Sequence, residues 1–175
     1  MSLSAQPLVH AGQLAPVDRP IKPDFSLRDL DGKRVSLDGF RGRTLIVHFF
    51  ATWCEPCRTE LPALGRFLAR SADRASVLAI SVAEPDQRVK RFFGQTPASF
   101  PVLLDPDRHV AKSWNVDTLP TTYVLDADMK PALVIETEFA WDMIDVEQID
   151  ALLLKPNRTT EAPFVETAPL ETGDK

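Results

Sequence analysis

Leu45-Ile46-Val47-His48-Phe49-Phe50-Ala51 runs into Thr52-Trp53-Cys54-Glu55-Pro56-Cys57, and the reading of that junction decides the fold. The run is nearly all apolar and predicts a strand buried on both faces, in the middle of a sheet. Downstream, Leu61, Leu64, Phe67 and Leu68 recur at helical spacing. The chain's only two cysteines therefore stand where a strand ends and a helix begins. A helix N-terminus presents unpaired N–H groups and a dipole that favour an anion. Thiolate is the nucleophile of disulfide exchange, so Cys54 is placed for activation and Cys57, one turn on, for closing a disulfide. Pro56 suits an early helical position, where its missing N–H costs nothing. Pro62 is expected to kink the helix and free a carbonyl. Trp53 is expected to cover one side of the exposed sulfur. Glu55 sets a carboxylate beside the thiolate, which opposes the helix effect and predicts a less acidic Cys54 and a more reducing couple.

Upstream, Asp24-Phe25-Ser26-Leu27-Arg28-Asp29-Leu30-Asp31-Gly32-Lys33-Arg34-Val35-Ser36-Leu37 alternates around Asp31-Gly32, a hairpin signal. Residues 1–21, with Pro7, Pro16 and Pro20, read as an extended or mobile arm. Downstream come a second buried strand over 75–82, a helix over 87–93 with Val89, Phe92 and Phe93 inward, and a short strand over 100–104. A short helix over 108–114, strands over 121–125 and 132–136, and a helix over 142–154 with Asp142 as N-cap complete the order. Hairpin, β, α, β, α, β, α, β, β, α predicts a three-layer α/β domain over 22–155 with a mixed central sheet. Residues 156–175, with Pro156, Pro163 and Pro169 among Thr and Glu, read as a disordered tail.

At 175 residues, 44% hydrophobic, 26% charged and with net charge −5, the composition suits one globular domain. The acidic balance and the lack of a Lys/Arg cluster argue against nucleic acid as a partner. No apolar stretch is long enough to span a bilayer. Two cysteines three positions apart exclude a multi-disulfide scaffold, and fall short of a zinc site unless distant histidines join. The chain as written carries neither the basic n-region nor the apolar h-region of a signal peptide. It reads as cytosolic or as a trimmed mature form.

Trp-Cys-x-Pro-Cys after a buried strand resembles the thioredoxin superfamily. The block Phe49-Phe50-Ala51-Thr52-Trp53-Cys54-Glu55-Pro56-Cys57-Arg58-Thr59-Glu60-Leu61-Pro62 is similar, almost residue for residue, to the extracytoplasmic TlpA/ResA-like branch. So are the Asp-Gly-Lys hairpin and Leu119-Pro120-Thr121-Thr122-Tyr123-Val124-Leu125-Asp126. The resemblance covers roughly residues 22–155 and implies a thioredoxin-like fold with an inserted strand and helix near 85–115. It implies that Cys54 attacks and the buried Cys57 resolves. It makes Pro120 a cis-proline facing the cysteines, with the Leu119 backbone offered to an extended partner chain. Glu84 matches a glutamate that ResA-like proteins place near the active site, where it would tune a cysteine or relay a proton. His48 departs from the branch: six residues before Cys54, thioredoxin has a buried Asp and ResA-like relatives often Asn. The register places His48 under Cys57, where it is expected to modulate deprotonation.

The implied function is a reductant of client-protein disulfides, with no bound cofactor, acting as a monomer. It would be re-reduced by a membrane-bound electron-donor protein in the periplasm, with cytochrome c maturation as the branch's common task. Competing readings are a reductase dedicated to another client enzyme, a copper- or partner-binding module drawing on His109, and a peroxiredoxin-type peroxidase. The last wants a proline upstream of Thr-x-x-Cys. Thr52 stands two residues before Cys54, and residues 45–51 hold no proline. Trp114 and Trp141 read as packing residues.

Overall fold

A computed structural model describes residues 12–154. The hairpin forms as β2 (Ser26–Asp29) and β3 (Arg34–Ser36), with Leu27 opposite Val35. Its turn is organised by Asp29, whose Oδ1 accepts from the N–H groups of Asp31 and Lys33, and by Gly32 at φ 85°. That positive φ is what a glycine tolerates without steric cost. The apolar run becomes β4 (Thr44–Phe50), with all seven residues buried. It is followed by α1 (Glu55–Arg70), β5 (Ala75–Val82), α2 (Asp86–Gln95), β6 (Val102–Asp105) and α3 (His109–Ser113). The chain then forms β7 (Thr121–Leu125), β8 (Pro131–Ile135) and α4 (Val146–Leu153).

The sheet order is β1-β8-β7-β4-β5-β6-β2-β3, with β1 spanning Ala15–Pro16. β4, β5 and β6 run parallel, and α1 and α2 are the crossovers that parallel strands need. β7 and β8 return antiparallel as a hairpin. Strand side chains alternate between faces. On β4, Ile46 and Phe50 pack beneath α1, with Leu61, Leu64 and Phe67. Leu45, Val47 and Phe49 face the other way, toward α3 and Trp114. His48 has the parity of Ile46 and Phe50, so period two alone sends it under α1. The three-layer α/β architecture and the mixed sheet are as the pattern predicts.

Three details differ from that pattern. Within the described part of the arm, Ala15 and Pro16 pair with Val134 and Leu133 as an edge strand. Two residues are too short for a periodicity signal, and proline is acceptable on an edge. The last helix starts at Val146 rather than Asp142. Asp142 lies in a 3-10 turn (Trp141–Met143) and is held by Arg66 through two bonds of 2.9 and 2.7 Å. The N-cap is Asp145, whose N–H is accepted by the Gln148 side chain at 2.9 Å. On α2, Val89 and Phe93 are buried, while Phe92 is only half-buried. The tail reading, 156–175, lies outside the described residues, as does the arm before residue 12.

Candidate active site

Cys54 is the N-cap of α1 and Cys57 lies in its first turn. The two form a disulfide, with Cα atoms 5.3 Å apart. Cys54 Sγ also accepts the Cys57 N–H at 3.3 Å, one of the donors a helix N-terminus leaves open. Cys57 is fully buried. Pro56 occupies the first turn and Pro62 lies inside the helix, as expected. Trp53 projects into solvent, 67% exposed, and Glu55 is exposed at the first helical position. The Leu119–Pro120 peptide is cis. Leu119 and Trp53 line one cleft of about 250 Å³, together with Val82, Ala83, Arg108 and Val116. The tertiary structure thus brings Trp53 and Leu119, 66 positions apart, to one surface beside the disulfide.

Glu84 is buried at the end of β5. It accepts the Thr52 N–H at 2.7 Å, the Thr52 hydroxyl at 2.5 Å and the Ser81 hydroxyl at 2.9 Å. These contacts make Glu84 a positioning residue: it fixes the loop two residues before Cys54. Buried hydrogen bonds contribute about 1 kcal/mol each, more when the acceptor is charged. Glu84→Ala should therefore destabilise the protein by roughly 2–3 kcal/mol, read as a lower urea midpoint. An unchanged midpoint would mean that the loop is held by other contacts.

Beneath the disulfide lies a pair that spacing rules only half disclose. His48 Nδ1 lies 2.9 Å from Thr122 Oγ1 and 3.5 Å from Glu60 Oε2. Glu60 is buried on α1, its carboxyl accepting from the Phe139 N–H at 2.8 Å and the Trp141 indole N–H at 3.0 Å. Burial pushes the Glu60 carboxyl up to about 7, against those two donors. Burial pushes the His48 imidazole down to about 3, with the Cys57 backbone acting in the opposite direction. His48 Nε2 completes no hydrogen bond. His48 is therefore neutral through the working range, and the pair is not an ion pair despite its separation. The group that titrates near neutrality under the dithiol is Glu60, whereas the sequence reading assigned that behaviour to His48.

Glu60 was legible in one respect. Positions 57, 60, 61, 64, 67 and 68 form a single helical stripe, and Glu60 is the one charge on it. Trp141 does more than pack, since its indole N–H is one of Glu60's two donors. His109 opens α3, on the opposite sheet face from α1.

The AhpC/TSA family model matches residues 20–131. The chain belongs to that family. It is 31% identical over 154 residues to the thiol-disulfide oxidoreductase ResA of Bacillus subtilis (strain 168), covering 87% of this chain and 84% of that protein. It is 37% identical over 107 residues to the thioredoxin-like protein YneN of the same organism, covering 59% and 62%. The chain thus spans less than two thirds of YneN. Among solved structures it is similar to a thiol:disulfide interchange protein of the thioredoxin family from Chlorobium tepidum TLS. That match has a TM-score of 0.66 and 28% identity, over 79% of this chain and 99% of that one. With the Cys54–Cys57 disulfide in place, the chain is a ResA-type thiol–disulfide oxidoreductase on a thioredoxin-like fold.

Proposed function

We propose that this oxidoreductase reduces disulfides in client polypeptides outside the cytoplasm, with cysteine pairs of proteins in cytochrome c maturation as the client class. The observation that carries the direction of attack is the asymmetry of the pair. Cys54 caps a helix beside exposed Trp53 and keeps a small accessible surface of 6%, whereas Cys57 is sealed beneath it at 0%. The Cys54 thiolate attacks one sulfur of the client disulfide, and the client's second sulfur leaves as a thiolate. Cys57 then loses its proton and attacks Cys54 Sγ. The mixed disulfide breaks, the client departs as a dithiol, and the enzyme is left as the Cys54–Cys57 disulfide. Two electrons have passed to the client, so a donor protein, membrane-bound in this reading, must return them. Leu119, beside Pro120 and in the same cleft as Trp53, supports docking of an extended client segment. Neutral His48 and titratable Glu60 form the floor under Cys57, and Glu60 takes up or releases the proton nearest the resolving thiol. Localisation rests on likeness to the ResA type. No helix among the described residues is long and apolar enough to cross a membrane.

A Cys57→Ser variant tests the reading. It should retain attack and stall as a mixed disulfide, and the trapped partners can be identified by mass spectrometry after non-reducing separation from intact cells. Recovery of cytochrome c maturation proteins is the expected result. Recovery of cytosolic proteins alone would overturn both the client class and the compartment.

A further inference from the structure

Residues 136–145 join β8 to α4 with no strand or α-helix of their own, only the 3-10 turn Trp141–Met143. Yet this segment supplies both donors on Glu60, the Phe139 N–H and the Trp141 indole. A segment without ladder hydrogen bonds is fixed by what its carbonyls and side chains find elsewhere. Here they find α1. Arg66 and Arg70 stand four residues apart on that helix and so share a face. Arg66 takes both carboxylate oxygens of Asp142. Arg70 does more. Its Nη2 donates to the Trp141 carbonyl at 3.1 Å and the Ile144 carbonyl at 3.4 Å. Its Nη1 lies 3.7 Å from Asp142 and its Nε 3.8 Å from Asp145. One guanidinium thus ties four residues of the segment to the helix. Arg74, just past α1, binds only Glu147 and Asp150 of α4, beyond the turn.

Trp141 carries that hold inward. Its carbonyl is on Arg70, its ring meets Phe67 at 5.7 Å and Phe139 at 4.7 Å, and its indole N–H reaches Glu60 at 3.0 Å. Exposed ion pairs such as Arg66–Asp142 hold little by themselves. Losing Arg70 also strips two carbonyls of a charged donor, which is the costlier loss. The ionisable groups about Glu60 are His48 on β4 at 3.5 Å, Cys57 three positions back on α1, and Glu138 on the segment itself. None is a cation paired with Glu60, so enclosure decides its protonation.

We propose that Arg70 is a positioning residue for the carboxyl beneath the dithiol. By holding the Trp141–Ile144 turn against α1 it keeps Glu60 dry, and so sets the pH at which Glu60 exchanges its proton. The bearing on catalysis rests on the proposed part of Glu60 as the proton carrier nearest Cys57, and the test reads the two separately.

Carbon-13 carboxyl spectra of the oxidised protein, taken across about pH 4 to 9, give the Glu60 midpoint, with the resonance assigned by its loss in Glu60→Gln. Arg70→Met keeps the apolar stem and removes the fork. Glu60 should then titrate roughly one pH unit below wild type. Arg70→Lys, with the charge and no fork, should fall between the two. Arg74→Met should leave the midpoint in place. If Arg70→Met does not fold, Arg70→Lys against Arg74→Met carries the same comparison. Stopped-flow reaction of the reduced enzyme with a chromogenic disulfide supplies the second readout, because the second thiol released reports resolution by Cys57. Its pH profile should move downward with the Glu60 midpoint. A Glu60 midpoint unmoved by loss of Arg70 would overturn the proposal. So would an equal shift in Arg74→Met, which would make the effect a general loosening. A shifted Glu60 with an unmoved second-thiol profile would uphold Arg70 as the positioning residue and remove Glu60 from the proton path.

Discussion

Cys54→Ser loses disulfide exchange by on the order of a thousandfold or more, with the fold intact. The reasoning separates chemistry from structure at one atom. Cys54 is the N-cap of α1, and its sulfur accepts the Cys57 N–H. Serine is among the best N-cap residues, so the substitution keeps the cap while removing the thiolate. A serine hydroxyl does not ionise near neutral pH and forms no disulfide, so attack on the client ends. Insulin reduction and single-turnover exchange with a chromogenic disulfide measure the loss, and circular dichroism with a thermal midpoint confirms folding. A Cys54→Ser protein that kept more than about a tenth of wild-type exchange would show that Cys57 attacks directly, against its complete burial.

Glu60→Gln changes how stability depends on pH, by on the order of 3 kcal/mol between pH 4 and pH 8. In the folded protein Glu60 is raised from 4.5 to about 7. The unfolded chain therefore releases this proton first, and stability falls as pH rises from about 4.5 through 7. Glutamine does not titrate, so the variant gains on wild type across that window. His48 acts with the opposite sign. Its folded value of about 3 lies below the 6.5 of an unfolded histidine. The unfolded chain binds that proton first on acidification, so stability falls as pH drops from 6.5 toward 3. Between 4.5 and 6.5 the two slopes oppose one another in wild type, and the variants separate them. Glu60→Gln should leave a profile that climbs from pH 3 to 6.5, and His48→Asn one that declines from 4.5 to 7. Urea unfolding of the oxidised protein at a series of pH values reads both. A difference between wild type and Glu60→Gln that is flat in pH would mean that Glu60 is solvated and ionised beneath the disulfide.

The redox pair needed little beyond the local chain. A strand of buried residues, a cysteine at the helix boundary, a second cysteine one turn on and a proline in the first turn are all short-range features. Each follows from periodicity and from the chemistry of a helix end. The hairpin, with Asp29 and Gly32 in its turn, was legible for the same reason. The two-residue β1 was not, because it exists only through its pairing with β8. The start of α4 was misplaced because Arg66, 76 residues before Asp142, holds that aspartate in a separate turn.

The site shows the same division. Cys54 and Cys57 could be named from spacing, and the parity of β4 already sends His48 under α1. Glu84 could be matched in position, but only the folded chain shows that its carboxylate holds Thr52. Glu60 is the one charge on the apolar stripe of α1, but only the folded chain brings Phe139 and Trp141, from a distant part of the sequence, over it and removes its water. A pKa near neutrality is a property of that enclosure, since desolvation depends on everything packed around a group. By itself the sequence determined the fold class and the two sulfurs of the redox pair. Tertiary structure decided which carboxyl titrates beneath them, because local order follows from neighbours in the chain whereas desolvation and charge follow from neighbours in space.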